Sequence, residues 1–181
     1  MKEGILGLFL FLGHWLSPET DKANLDAFFI KNDVQYIEFQ CQFDIAWNDQ
    51  LEQLVDAGIP LRFKIVHFVD SPPDTIAFTR TLYCDMVNFT YFYIDSSETI
   101  QEKSHTYSLV QLALRDFCRW NFHISKKASS CRIEATILPG VALQLNRVID
   151  MSRVWGQQKV FCQFSVQDKV SDNTKKSRKS R

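Results

Sequence analysis

Residues 37 to 45 alternate without interruption. Ile37, Phe39, Cys41, Phe43 and Ile45 fall on one side, and Glu38, Gln40, Gln42 and Asp44 on the other. A side-chain period of two belongs to a strand with one dry face and one wet face, here expected over Gln35 to Ala46. Next, Asp49 stands as an N-cap with Glu52 three residues on, a capping-box arrangement. Leu51, Leu54 and Val55 form one apolar stripe, Gly58 ends it and Pro60 blocks a restart, so the spacing predicts a helix over Asp49 to Ala57. A second strand returns from Gly58 to Val69, with Ile59, Leu61, Phe63 and Ile65 inward and Arg62 and Lys64 outward. The two strands are expected side by side, with those cations facing the row of Glu38, Gln40, Gln42 and Asp44. Such cross-strand pairs contribute about 0.2 to 1 kcal/mol each and serve register more than stability. Val66 and Phe68 make the far end apolar on both faces, which predicts a covering layer.

Composition leans the same way. Among 181 residues there are 15 phenylalanines and only 6 glycines, and aromatics favour pleated surfaces. The length suits one domain plus ends. Formal net charge is zero, but the last seven residues, from Lys175, carry five cations, leaving 16 basic against 21 acidic side chains. A mildly acidic body does not suggest a nucleic-acid groove, and no specific nucleic-acid binding is expected. The tail can touch an anionic membrane surface through charge alone. At the other end, Ile5 to Leu16 is apolar over a length that suits a signal-peptide core and is too short to cross a bilayer. Residues 1–17 are therefore read as a probable signal peptide or N-terminal hydrophobic segment. The alternative is an apolar first element of a cytoplasmic protein.

Further along, Leu25 to Ile30 reads as a short strand. Asp70 to Asp74 is a loop, and Thr75 to Ile94 is strand with a turn near Asp85 to Asn88. Asp95 to Ser104 reads as loop. The next segment carries two patterns at once. Val110, Ala113, Leu114 and Phe117 have helical spacing, whereas Cys118, Trp120, Phe122 and Ile124 alternate. Two strands, His105 to Leu112 and Phe117 to Ser125, are preferred over a helix at 108–118. A hairpin follows through Lys127 to Ser130, pairing Ile124 with Ile133, Phe122 with Ala135 and Trp120 with Ile137, and setting His123 against Glu134. Val141 to Met151 has helical spacing, and Lys159 to Val166 is a last strand. Residues 168–181 have no apolar pattern and are expected to be disordered. The five cysteines form no CxxC pair, so neither a zinc site nor a redox motif is supported, no cofactor is expected, and no bridge is expected between Cys118 and Cys131.

The run Leu51-Glu52-Gln53-Leu54-Val55-Asp56-Ala57-Gly58-Ile59-Pro60-Leu61-Arg62-Phe63, with Thr106-Tyr107-Ser108-Leu109 later, resembles the uncharacterised bacterial family domain of unknown function 4390. The resemblance spans roughly residues 25 to 125 and implies a small exported, periplasmic, β-rich protein with strands at Leu109 to Phe122. It carries no activity.

No HExxH, GxSxG or GxGxxG occurs. His123 beside Glu134 is the one acid–base pairing the expected register offers, and an ordinary cross-strand pair is the plainer account. His67, among Ile65, Val66 and Phe68, reads as a core histidine. Tyr91 and Tyr93 either pack or line an exposed aromatic patch for a peptide, glycan or protein partner. The expectation is a mostly β, two-layer antiparallel sandwich-like domain over 25–167 with one or two short helices. Functionally it reads as a non-enzymatic binding or structural accessory domain of a bacterial cell envelope, its candidate binding residues Tyr91, Tyr93, His123 and Glu134, its partner an envelope protein or peptide. The alternative is a hydrolase-type enzyme whose site gathers only in three dimensions.

Overall fold

The computed structural model describes residues 23–45, 49–98, 101–142, 147–149 and 159–171. Along the chain run β1 (Asn24–Asn32), β2 (Tyr36–Asp44), α1 (Asp49–Asp56), β3 (Leu61–Asp70), β4 (Pro73–Asp85), β5 (Thr90–Ser96) and β6 (Gln101–Lys103). Then come α2 (Val110–Phe117), β7 (Arg119–Ser125), β8 (Ser130–Leu138), β9 (Gly140–Ala142), β10 (Arg147–Ile149), β11 (Lys159–Ser165) and a closing helical segment, α3, at 166–171. A three-stranded sheet, ordered β1-β2-β7, packs on a six-stranded sheet, ordered β11-β8-β3-β4-β5-β6, and β9 and β10 pair separately. All pairings are antiparallel. The protein is a mostly β, sandwich-like fold, as its alternating strands imply.

The dry faces meet in the middle. Ile37, Phe39, Cys41 and Phe43 of β2 and Trp120, Phe122 and Ile124 of β7 are buried against Leu61, Phe63 and Ile65 of β3 and Cys131, Ile133, Ala135 and Ile137 of β8. Rings interlock between the layers: Phe43 meets Phe63 at 4.9 Å and Phe39 meets Phe164 at 5.0 Å. Burying a side chain of this size contributes about 1.5–3 kcal/mol, so these contacts dominate cohesion.

The expected pairing of the strands flanking α1 is overturned. β2 pairs with β1 and β7, and β3 pairs with β4 and β8. Both strands hide their odd-numbered residues, yet they do so from opposite layers. Sheets pack about 10 Å apart, and a helix of 8 residues spans about 12 Å, so α1 bridges the layers instead of returning the chain within one. The hairpin expected between β7 and β8 fails in the same way. β7 lies against β2, with Ile37 opposite Ile124, while β8 lies between β3 and β11. Residues 126–129 cross the gap, and four extended residues reach about 13 Å, far enough to change sheets. Asp70, at the end of β3, fastens the crossing. Its carboxylate accepts the backbone amides of Ser129 (3.1 Å) and Ser130 (2.9 Å) and both serine hydroxyls. These bonds, led by the Ser129 hydroxyl, hold its carboxyl well below the usual carboxylate range.

Elsewhere the structure corrects single elements. Residues 110–117 are helical, not strand, with Val110, Ala113, Leu114 and Phe117 all buried. Where a helix was expected over Val141 to Met151, β9 and β10 pair antiparallel, with Val148 opposite Val141. A spacing of seven matches a helix face as well as such a pairing. Within the expected loop, Gln101–Lys103 forms the edge strand β6. Among the described residues no layer covers Phe68, which is 39% exposed. The turn between β4 and β5 falls where expected, at 86–89. The proposed leader at 1–17 and most of the 168–181 tail lie outside the described residues, though 168–171 are helical.

Candidate functional site

The residues singled out from the sequence do not converge. Tyr91 and Tyr93 point into the molecule. The Tyr91 hydroxyl donates to Asp56 Oδ1 at 2.7 Å, its backbone bridges Tyr107, and the side chain is buried. Tyr93 lies between Tyr107 (6.4 Å) and Phe117 (6.0 Å), with the Arg80 guanidinium 4.7 Å above its ring. Neither lines a patch. His123 and Glu134 sit on the outer faces of opposite sheets, so the acid–base pair does not exist. His123 instead packs edge-on to Tyr36 at 4.5 Å, with Nε2 3.9 Å from Glu38 Oε2. Glu134 lies between Arg132, at 2.6 Å, and Lys159. The Lys159 contact first, against the opposing effect of burial, lowers its carboxyl from the ordinary glutamate value.

The other described histidines, His67 and His105, lie in different surroundings. His67 continues the inward series of β3 and is 3% exposed; Trp120 Nε1 donates to its Nε2 at 3.1 Å. Burial drives its pKa down to about 4, so the ring is neutral. His105 leans on Tyr107 at 4.1 Å. The described cysteines carry free thiols, and burial raises those of Cys118 and Cys131 to about 12, far from a reactive thiolate. An open pocket of about 260 Å³ between β2 and α2 is lined by Gln42, Asp44, Leu114, Arg115, Cys118 and Arg119, with no histidine among its walls. Among the described residues no group of three or more His, Cys, Asp or Glu could hold a metal ion, and no helix is long and apolar enough to cross a membrane.

What does gather is the outer face of the six-stranded sheet. Register places Lys159, Thr136, Lys64, Thr79 and Ser96 in one row across five strands. On one side of that row lie Phe161, Glu134, Val66 and Ala77, then Gln163, Arg132, Phe68 and Thr75. On the other side lie Arg62, Thr81, Ile94 and Lys103, with Tyr83 and Phe92 beyond. Five cations therefore share a face with three carboxylates: Glu134 among them, and Asp70 and Asp85 at the strand ends. Phe161 is 60% exposed, and Arg132 stands over its ring at 5.1 Å. Lys103 stands over Phe92 at 3.9 Å, and Phe92 stacks on Tyr83 at 5.4 Å. Glu134 engages Arg132 and Lys159, whereas Arg62 and Lys64 make no ion pair with any described residue.

No family model, curated protein or solved structure matches this chain. Its chemistry therefore has to be read from the face itself. Sequence reasoning did place Arg62 and Lys64 outward, but set them against acidic partners that belong to the other sheet. The expected patch of Tyr91 and Tyr93 is turned inward, whereas Phe92 between them lies on this face. The one usable signal was parity with Arg62 and Lys64, carried across a register that no single strand contains.

Proposed function

We propose that this chain is a non-catalytic binding domain of a bacterial cell envelope, exported in the manner of the family it resembles, and that the outer face of its six-stranded sheet is the surface that meets a partner. The single observation that carries this reading is the clustering of five cations and exposed aromatic rings on one sheet face, in a chain whose body carries more acid than base. Clustered charge of one sign raises the local concentration of an oppositely charged partner and speeds encounter. Exposed rings add apolar contact of the kind that marks binding surfaces. The basic C-terminal residues would reinforce attraction to an anionic surface.

Amine-reactive footprinting of the full chain with and without envelope extract tests the surface. Lys64, Lys103 and Lys159 should be protected, while Lys126 and Lys127, in the crossing between layers, should label equally in both samples. Protection confined to residues off this face would overturn the assignment. Export is tested separately, by sequencing the N-terminus of the protein recovered from native cells; an intact Met1 in the cytoplasmic fraction would count against it.

A further inference from the structure

Resting on that reading, we infer that the ligand of the outer sheet face is an acidic polysaccharide, an extended chain of sugars bearing carboxylates. Three features converge on it. The first is charge. Lys64 and Arg62 lie on one strand about 7 Å apart, and Lys159 lies two strands from Lys64, about 10 Å away. The cations thus form a broad array suited to a polymer with repeated anions and not to one small anion. Arg62 offers a planar fork that matches a carboxylate, and Lys64 a point charge.

The second feature is hydroxyl density. Thr136 and Thr79 stand in the same row as the lysines, and Thr75 lies two rows over, giving donors and acceptors that match sugar hydroxyls. The third is how the rings are presented. Lys103 already covers a face of Phe92, Tyr83 is stacked on Phe92, and Arg132 covers a face of Phe161. Nucleic-acid platforms offer open ring faces on which bases stack. Here Lys103 and Arg132 each cover a ring face, so the run of open rings that such a platform needs is missing, while the 60% exposed Phe161 offers one apolar contact for sugar C–H groups. A single-stranded nucleic acid is accordingly the less suited polyanion.

The test uses the full chain, with the C-terminal cations present throughout. Binding is titrated calorimetrically with polygalacturonate oligomers, with the same oligomers fully methyl-esterified, and with a single-stranded oligodeoxynucleotide of similar length. The carboxylate form should bind and the ester should not. The paired substitution Arg62→Glu with Lys64→Glu should weaken binding at least tenfold, with Lys64→Glu alone as a milder companion in case the pair perturbs folding. Raising salt from 50 to 500 mM should weaken binding as well, because exposed charges are screened. Tighter binding of the oligonucleotide, lost in the same variant, would overturn the polysaccharide and leave the binding face intact. Equal polygalacturonate binding by the wild type and both variants would locate the attraction in the tail and remove this site altogether.

Discussion

His67 shows how one inward position can set the acid stability of the whole chain. Its ring is enclosed by Phe78, Trp120 and Phe122, at 5.9, 6.4 and 4.6 Å between centroids, so no charged group faces it among these contacts. The folded state holds its pKa near 4, against 6.5 when unfolded. The unfolded chain therefore binds the proton first. The contribution is whole above pH 6.5, declines as pH falls from 6.5 to about 4, and is gone below that, a loss on the order of 3 kcal/mol. Groups such as Asp70, lowered from 3.8, act only further down. Urea denaturation at half-unit pH steps should show this decline, and His67→Phe should flatten it. At pH 7 the same variant should cost about 1–3 kcal/mol, because the Trp120 indole loses its acceptor. A constant gap between the two proteins from pH 6.5 to 4 would show that His67 is not the source.

At the scale of elements, the C-terminal ends of α1 and α2 are each fastened by named bonds. α1 ends in a Schellman arrangement: Gly58 N donates to Val55 O at 2.9 Å and Ile59 N to Leu54 O at 3.0 Å, with Gly58 at φ 79. A Cβ there would also lie 2.7 Å from Met86 Sδ, a flexible side chain that can yield. The backbone conformation is the larger cost, so Gly58→Ala should destabilise by about 1–2 kcal/mol in thermal or urea unfolding. A change under 0.3 kcal/mol would mean the turn relaxes freely. α2 has no side-chain cap at its N-terminus and is held at the other end by Arg80. The Arg80 guanidinium forks onto Asp95 at 2.6 Å twice and donates to the carbonyls of Phe117 (3.0 Å) and Arg119 (2.6 Å) while 5% exposed. Phe117 closes α2, so its carbonyl carries the partial negative charge of a helix end, whereas the Arg119 carbonyl already belongs to β7. Arg80→Ala leaves Asp95 and both carbonyls unpaired and should cost about 3–5 kcal/mol. Asp95, itself 28% exposed at its side chain, should cost less when changed to Asn. A cost below 1 kcal/mol for Arg80→Ala would deny it this role. The sequence carried a hint, since Phe78, Arg80 and Leu82 share one face of an apolar strand. It could not show that a helix end lies over that spot, and strands at His105 to Leu112 and Phe117 to Ser125 would ask for no such cation.

For the molecule as a whole, the two-layer arrangement separates groups that chain order seems to join. His123 and Glu134 lie on outer faces of opposite sheets, so a double-mutant cycle between them should give a coupling below about 0.3 kcal/mol. The cycle between His123 and Glu38, opposite each other in β7 and β2, should give up to about 0.5 kcal/mol. The reverse order would restore the hairpin between β7 and β8. Charge follows the same division: a body with more acid than base still presents a cationic outer face, because register and not composition decides which side chains become neighbours. Periodicity alone determined that β2, β3, β7, β8 and β11 are strands, and it identified the faces they bury, since a slip of one residue would put Phe39, Phe43, Phe63, Phe122 and Phe164 into water. It could not choose which strand pairs with which. An eight-residue helix and a four-residue link each fit a return within one sheet as well as a passage between two, and only the fit of both buried faces against one another favours the passage. The cationic face is a product of that choice. It exists because β3, β8 and β11 lie in one layer, with the acidic row of β2 turned away in the other.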